Sequence, residues 1–280
     1  MLFRSLVVFP LAAIEPQLSR QLLADARDGR LDRFDFFSAT LIASGIEDVD
    51  ELAEWGRQYA LRSQRLLDSL DIRFNAAATE SRLQTLHTLA HEEFLSGSFD
   101  AAASDLRQTI GRGNYNCLSS LAIYCDLCQA VELNLEIWWQ PGHVFVRHAA
   151  PGQPPVIVEP AAKQWGSAPA SQRAKRRMLA RQISPVQLLG KFYYNRGVAQ
   201  LRDNQFADGL EMLRTSLALD PEDRDAKANL VAGLNNWAVE YLRAERYRDA
   251  ASLVEQGLKI DPTFTPLMSN QRLLDEKLRN

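Results

Sequence analysis

Cys117, His143 and Glu159 are the residues of this chain whose types, order and surroundings could do covalent chemistry. Cys117 follows the turn-forming run Gly111-Arg112-Gly113-Asn114-Tyr115-Asn116 and opens a helical segment. His143 follows Pro141-Gly142 and begins the alternating run His143-Val144-Phe145-Val146-Arg147, while Glu159 ends the strand-like Val156-Ile157-Val158 and precedes Pro160. A thiol attacks carbonyls as its thiolate, and the N–H groups at a helix N-terminus favour that form, as does a neighbouring imidazolium. A carboxylate on the far side of the imidazole would hold one tautomer and stabilise its charged state, which is the logic of a Cys-His-acid triad. The same helix N-terminus could donate to an oxyanion, with Asn114 and Asn116 as candidate side-chain donors.

The elements that must position these groups are read from periodicity. Residues 16–110 place apolar side chains at three- and four-residue spacing, notably over 17–26, 35–43, 49–70 and 80–95, and predict a helical part. Asp100 is the expected N-cap of a helix over 101–110, and Cys117 opens another that runs to Val131. Residues 135–139, 143–147 and 156–159 are short, β-branched or aromatic, and bounded by Pro and Gly, so the centre of the chain is α+β. Trp138 and Trp139 fall on opposite faces of their strand, one ring for the core and one for a groove beside the site. Residues 164–181 are rich in Ala, Ser and basic side chains and read as a linker running into a helix, their charges a solvated face.

From Leu189 the chain repeats itself. Gly197, Gly209, Leu213 and Ser216 before Asp220-Pro221 fall into register with Ala238, Ala250, Val254 and Gly257 before Asp261-Pro262. Small residues at matched positions let paired helices approach closely, and each Asp-Pro stops a helix. The spacing within each copy resembles the tetratricopeptide repeat, with a lengthened connection or helix over 222–230 and a capping helix over 263–280.

Composition bounds the function. A length of 280 residues, 46% of them hydrophobic, allows two modest cores. The net charge of −3 lacks the basic footprint of nucleic-acid binders. Three clustered cysteines are too few for a disulfide framework and suit a reducing compartment such as the cytoplasm. Residues 1–13 loosely imitate a short signal peptide, which leaves export as the alternative. No segment reaches the ~18 to 20 consecutive apolar residues of a membrane span.

The other reactive side chains have plainer readings. Cys125 and Cys128 fall on nearly the same helix face as Cys117 and read as packing rather than a redox or zinc pair. His87 and His91 have a zinc-compatible spacing but lack the glutamate of the metalloprotease motif, so they read as core or surface histidines. His148 has no evident partner, and no phosphate-binding glycine loop is present.

Gly113-Asn114-Tyr115-Asn116-Cys117 before a helix, Pro141-Gly142-His143 opening a strand and Val158-Glu159-Pro160 closing the next resemble the Cys, His and acid blocks of the transglutaminase-like superfamily. The closest likeness is to bacterial proteins that join such a domain to tetratricopeptide repeats. Two departures stand out: the acid is Glu159 where Asp is usual, and Val144-Phe145 replace the common aromatic soon after the histidine. The resemblance implies a papain-like α+β core over residues 1–165, a linker over 166–188 and repeats over 189–280. It implies thiol acyl-transfer chemistry (transamidation, deamidation or peptide hydrolysis) without a cofactor or metal, with Cys117 as nucleophile, His143 as base and Glu159 as orienting acid. The repeats would dock a protein or peptide. The alternatives are a catalytically silent scaffold whose repeats act as an adaptor, and a thiol redox protein using Cys125 and Cys128.

Overall fold

The computed structural model describes residues 17–166 and 180–279. Its first part is helical: α1 (Gln17–Asp25), α2 (Phe36–Ser44), α3 (Val49–Asp68), α4 (Ile72–Ala76), α5 (Thr79–Glu93), α6 (Leu106–Arg112) and α7 (Cys117–Ala130). Aspartates start several of these helices by accepting first-turn N–H groups: Asp35 from Ser38, Asp48 from Glu51 and Asp71 from Arg73 and Phe74. The most buried helix is α2, where Phe37 and every residue from Ala39 to Ser44 are buried. A helix buried on most sides has no room for a charged face, and this one carries no charged residue; its buried Thr40 and Ser44 hydroxyls donate back to Phe36 O and Leu41 O.

A four-stranded antiparallel sheet follows, with β1 (Glu136–Gln140), β2 (His143–His148), β3 (Val156–Val158) and β4 (Arg181–Ile183) in the order β3-β2-β1-β4. The Pro141-Gly142 turn closes the β1–β2 hairpin with Gln140 opposite His143, and Gly142 takes φ 72°, a region that glycine enters without steric cost. Helix α7 packs on β2. Three of the expected strands are present within a residue at each end. The fourth, β4, corrects the reading of Arg181 as the end of a linker running into a helix: Arg181–Ile183 pairs with Trp139–Ile137. The rest of that basic stretch, 167–179, lies outside the described residues, as does the signal-like segment at 1–13.

The last part is all helical: α8 (Pro185–Arg202), α9 (Phe206–Leu219), α10 (Arg224–Arg243), α11 (Tyr247–Ile260) and α12 (Thr265–Arg279). Ser184 and Gln187 form a capping box with Pro185 in the first turn, so α8 starts before the expected boundary at 189. Its face carrying Leu188, Leu189 and Phe192 is buried in the same core as the helical and sheet parts, while α9 to α12 build a second core around Leu213, Leu234, Val254 and Leu267. The matched small residues sit at the crossings. A Cβ on Gly197 would lie 2.9 Å from the Gly209 carbonyl oxygen, and Ala238 and Ala250 are fully buried. The expected lengthening near 222–230 is a 20-residue α10. Among the described residues no helix is long and apolar enough to cross a membrane.

Candidate active site

Helix α7, which Cys117 opens, begins where two loops are zipped together. Gly97 donates to Gly113 O (3.0 Å), Tyr115 to Ser98 O (3.2 Å) and Asp100 to Tyr115 O (2.9 Å). Gly113 has φ 74°, and a Cβ there would meet Ser96 Oγ at 2.7 Å and Gly97 N at 2.8 Å, so the glycine four residues before Cys117 is dictated by both conformation and space. This pairing also corrects the expected helix over 101–110. Asp100 bonds Ala102 N within the loop, and Asp105 is the cap of α6.

Asn116 is the N-cap of α7: its Oδ1 accepts from Leu118 N (2.9 Å) and Ser119 N (3.0 Å), and Ser119 Oγ accepts from Asn116 N in return. Cys117 is therefore the first helical residue, and its own N–H is not used by the cap. The two asparagines offered as oxyanion donors have other partners. Asn116 Nδ2 donates to Ser104 Oγ (2.8 Å) and Ala101 O (3.2 Å), and Asn114 Oδ1 accepts from Ser98 N (3.2 Å) in the zipped loops. Asn116 borders the cavity at Cys117; Asn114 does not line it.

His143 and Glu159 meet at 2.5 Å between Nε2 and Oε2. The β2–β3 register pairs Val146 with Val158, so carrying it one residue further sets Glu159 opposite Phe145, one diagonal step from His143. Such a diagonal is about 7–8 Å between backbones, a span that the long arm of Glu crosses. With Nε2 facing the carboxylate, His143 shares the lining of one cavity with Cys117. Burial disfavours the imidazolium, but the nearby Cys117 and the hydrogen bond and charge of Glu159 outweigh it and raise the His143 pKa to about 9. The structure thus brings Cys117, His143 and Glu159 together.

Above the pair lies a cavity of about 220 Å³, whose walls include Cys117, His143, Trp139 and Phe99 on one side and Tyr194 and Asp225 of α8 and α10 on the other. The C-terminal helices are thus one wall of this cavity, a placement that periodicity had no means of showing. Two polar devices hold that wall. Ser104 Oγ accepts from both Asn116 Nδ2 (2.8 Å) and Asn195 Nδ2 (2.9 Å), tying the cap of α7 to α8. Lys191, 3% exposed, bonds Asp223 (2.6 Å) and Asp220 (2.9 Å) while its Nζ sits 4.1 Å from the Trp139 ring centroid.

The remaining reactive residues lie elsewhere. Trp139 is the groove-lining member of the tryptophan pair, but Trp138 is not core: it lies half-buried under the Arg147 guanidinium, 4.5 Å from its ring. Burial pushes the Cys128 thiol up to about 12 and the Cys125 thiol well above the ordinary thiol range, which disfavours the thiolate of both. Cys125 borders a larger groove of about 580 Å³ that shares no residue with the Cys117 cavity. His148 has a partner that the sequence did not show, donating from Nδ1 to Asn134 O (2.9 Å). Among the described residues no group of three or more His, Cys, Asp or Glu side chains could hold a metal ion.

Compared with known proteins, the chain matches no family model and no curated protein.

Proposed function

We propose that the protein is a cysteine-dependent acyl transferase or amide hydrolase of transglutaminase-like type. The single observation that supports it best is the Glu159 carboxylate 2.5 Å from the ring of His143, which lines one cavity together with Cys117, the first residue of α7. In this reading the Cys117 thiolate attacks an amide carbonyl carbon, and the oxyanion forms against the N–H of Cys117. The His143 imidazolium gives its proton to the leaving amine as the C–N bond breaks, leaving a thioester on Cys117. Water or a second amine then attacks the thioester, its proton passes to His143, and the thiolate leaves. Glu159 keeps the ring oriented and offsets its charge through both steps.

The five C-terminal helices resemble two tetratricopeptide repeats and a capping helix, and in this reading they select the substrate at the site itself rather than on a detached surface. A cavity of about 220 Å³ is below the usual range of small-molecule pockets, roughly 300–1,000 Å³, and suits a single side chain or terminus of a peptide. Extended peptides presented between Trp139 and Tyr194 are the substrate class this favours.

The test is acyl-enzyme capture. The protein is incubated with a defined pool of glutamine-containing peptides, quenched in acid, and Cys117 is examined by mass spectrometry for a thioester. The reading expects an adduct that is absent in Cys117→Ala and at least about 100-fold slower to form in His143→Gln. No adduct with any peptide, together with wild-type Cys117 alkylation by iodoacetamide that is indifferent to His143→Gln, refutes it.

A further inference from the structure

His87 and His91, left without a role by the motif they fail to match, lie on α5 against the turn that carries Glu159. Glu159 is just beyond β3, and a short strand does not by itself hold the residue that follows it. The turn is closed by Ala162 N donating to Glu159 O (2.9 Å). It is anchored from outside by His91, whose Nε2 lies 3.0 Å from Pro160 O; a carbonyl only accepts, so this nitrogen carries the proton. His87, 3% exposed, faces the backbone of Glu159 and Ala162 and meets the Trp165 ring edge-on at 5.5 Å. The two imidazoles are 4.6 Å apart, and Tyr115, two residues before Cys117, packs edge-on against His91 at 5.5 Å.

We propose that His87 and His91 are positioning residues for Glu159: packed against the turn after β3, they hold its backbone and so fix where the carboxylate meets His143. The role assigned to Glu159 rests on the acyl-transfer reading, but the placement itself does not. The surroundings disfavour the charged form of both rings. Burial, then the other imidazole, lowers His87 to about 4; burial also lowers His91, helped by Lys163 and opposed by the carbonyls of Pro160, Leu95 and Ala162. Two imidazolium ions this close in a buried site would repel each other. Tyr115, Tyr124, Trp165 and Lys163 are the other polar or charged groups that face the pair.

The experiment is an NMR titration of the His143 ring in the intact protein, assigned with His143→Gln, for wild type, His91→Leu, His91→Gln and Glu159→Gln. In wild type the midpoint is expected near 9. In His91→Leu the turn loses its anchor and the midpoint should fall by about one unit or more, whereas His91→Gln, whose amide can still donate to Pro160 O, should stay within about 0.3 unit of wild type. Adding His91→Leu to Glu159→Gln should lower the midpoint no further, because both act through one carboxylate. If His91→Leu does not fold, His91→Asn, too short to reach Pro160 O, carries the same prediction. A folded His91→Leu or His91→Asn protein with an unchanged midpoint overturns the proposal, as does a His91→Gln midpoint that falls as far as that of His91→Leu. These readouts use no substrate and no alkylation of Cys117, so the proposal and the acyl-transfer reading fail separately.

Discussion

Replacing Glu159 with Gln removes the charge beside His143 and leaves an amide oxygen that can still accept from Nε2. In wild type the imidazole is raised from 6.5 to about 9 against the opposing effect of burial. At about 1.4 kcal/mol per unit, that difference is about 3 kcal/mol in favour of the imidazolium, drawn from both Cys117 and Glu159. The sign follows from linkage: the folded value lies above the unfolded one, so this stabilisation is complete below pH 6.5 and is lost as pH rises through about 9. Glu159→Gln should therefore cost about 1–3 kcal/mol at pH 6 and progressively less toward pH 9.5, with the His143 midpoint falling by about one unit or more. Urea denaturation of both proteins at pH 6, 7.5 and 9.5 measures the first, and the ring titration measures the second. A cost of Glu159→Gln that is the same at all three pH values would refute the reasoning, since it would mean that the carboxylate acts by packing and not on the charge of His143.

Alkylation by iodoacetamide at mildly acidic pH should modify Cys117 before Cys125 or Cys128, whose buried thiols are pushed upward; peptide mapping that finds all three equally slow contradicts the site. Lys191→Met should destabilise the fold by about 3–5 kcal/mol, because Asp220 and Asp223 then lose a buried counter-charge; a change under about 1 kcal/mol in chemical denaturation would show that these pairs do not hold the C-terminal helices together beneath Trp139. Ala238→Leu should cost about 1–3 kcal/mol by overpacking the α10–α11 crossing, and an unchanged melting temperature would mean the helices do not approach closely there.

What the sequence made legible follows from how local each signal is. The Cys117 helix start, the Pro141-Gly142 hairpin and the β3 exit at Glu159 are each written in a few neighbouring residues, and the β2–β3 register does the rest by bringing 143 and 159 onto one diagonal. Asn116 had two chemically valid uses, oxyanion donor or helix cap. The cap is adopted because Ser119 returns the hydrogen bond and Ser104 takes the remaining amide donor. Asp100 and Asp105 are equally good caps by type. The pairing of residues 97–100 with 113–115 commits the first to a loop, and that pairing depends on contacts across about a dozen or more residues that no local rule reports.

The wall of the cavity was illegible for a stronger reason. Tyr194 and Asp225 lie some 80 to 110 positions after Cys117, in helices whose periodicity only says that they pair with each other. Nothing in a repeat pattern says which face meets a preceding sheet. That choice is made by a few side chains whose partners are distant: Lys191 needs both Asp220 and Asp223 to be buried at all, and Asn195 needs Ser104. Burying Lys191 over Trp139 then sets the strand that leads into the Pro141-Gly142 turn against α8, so the same contact that docks the C-terminal helices also fixes the groove beside His143. A charge that is costly to bury unless three elements meet correctly discriminates among the ways two packed bodies could dock, which the apolar core alone does not do. The C-terminal helices are thereby held as a wall of the cavity, and in the proposed acyl-transfer reading a change of substrate preference is expected from residues on α8 and α10 as readily as from the sheet.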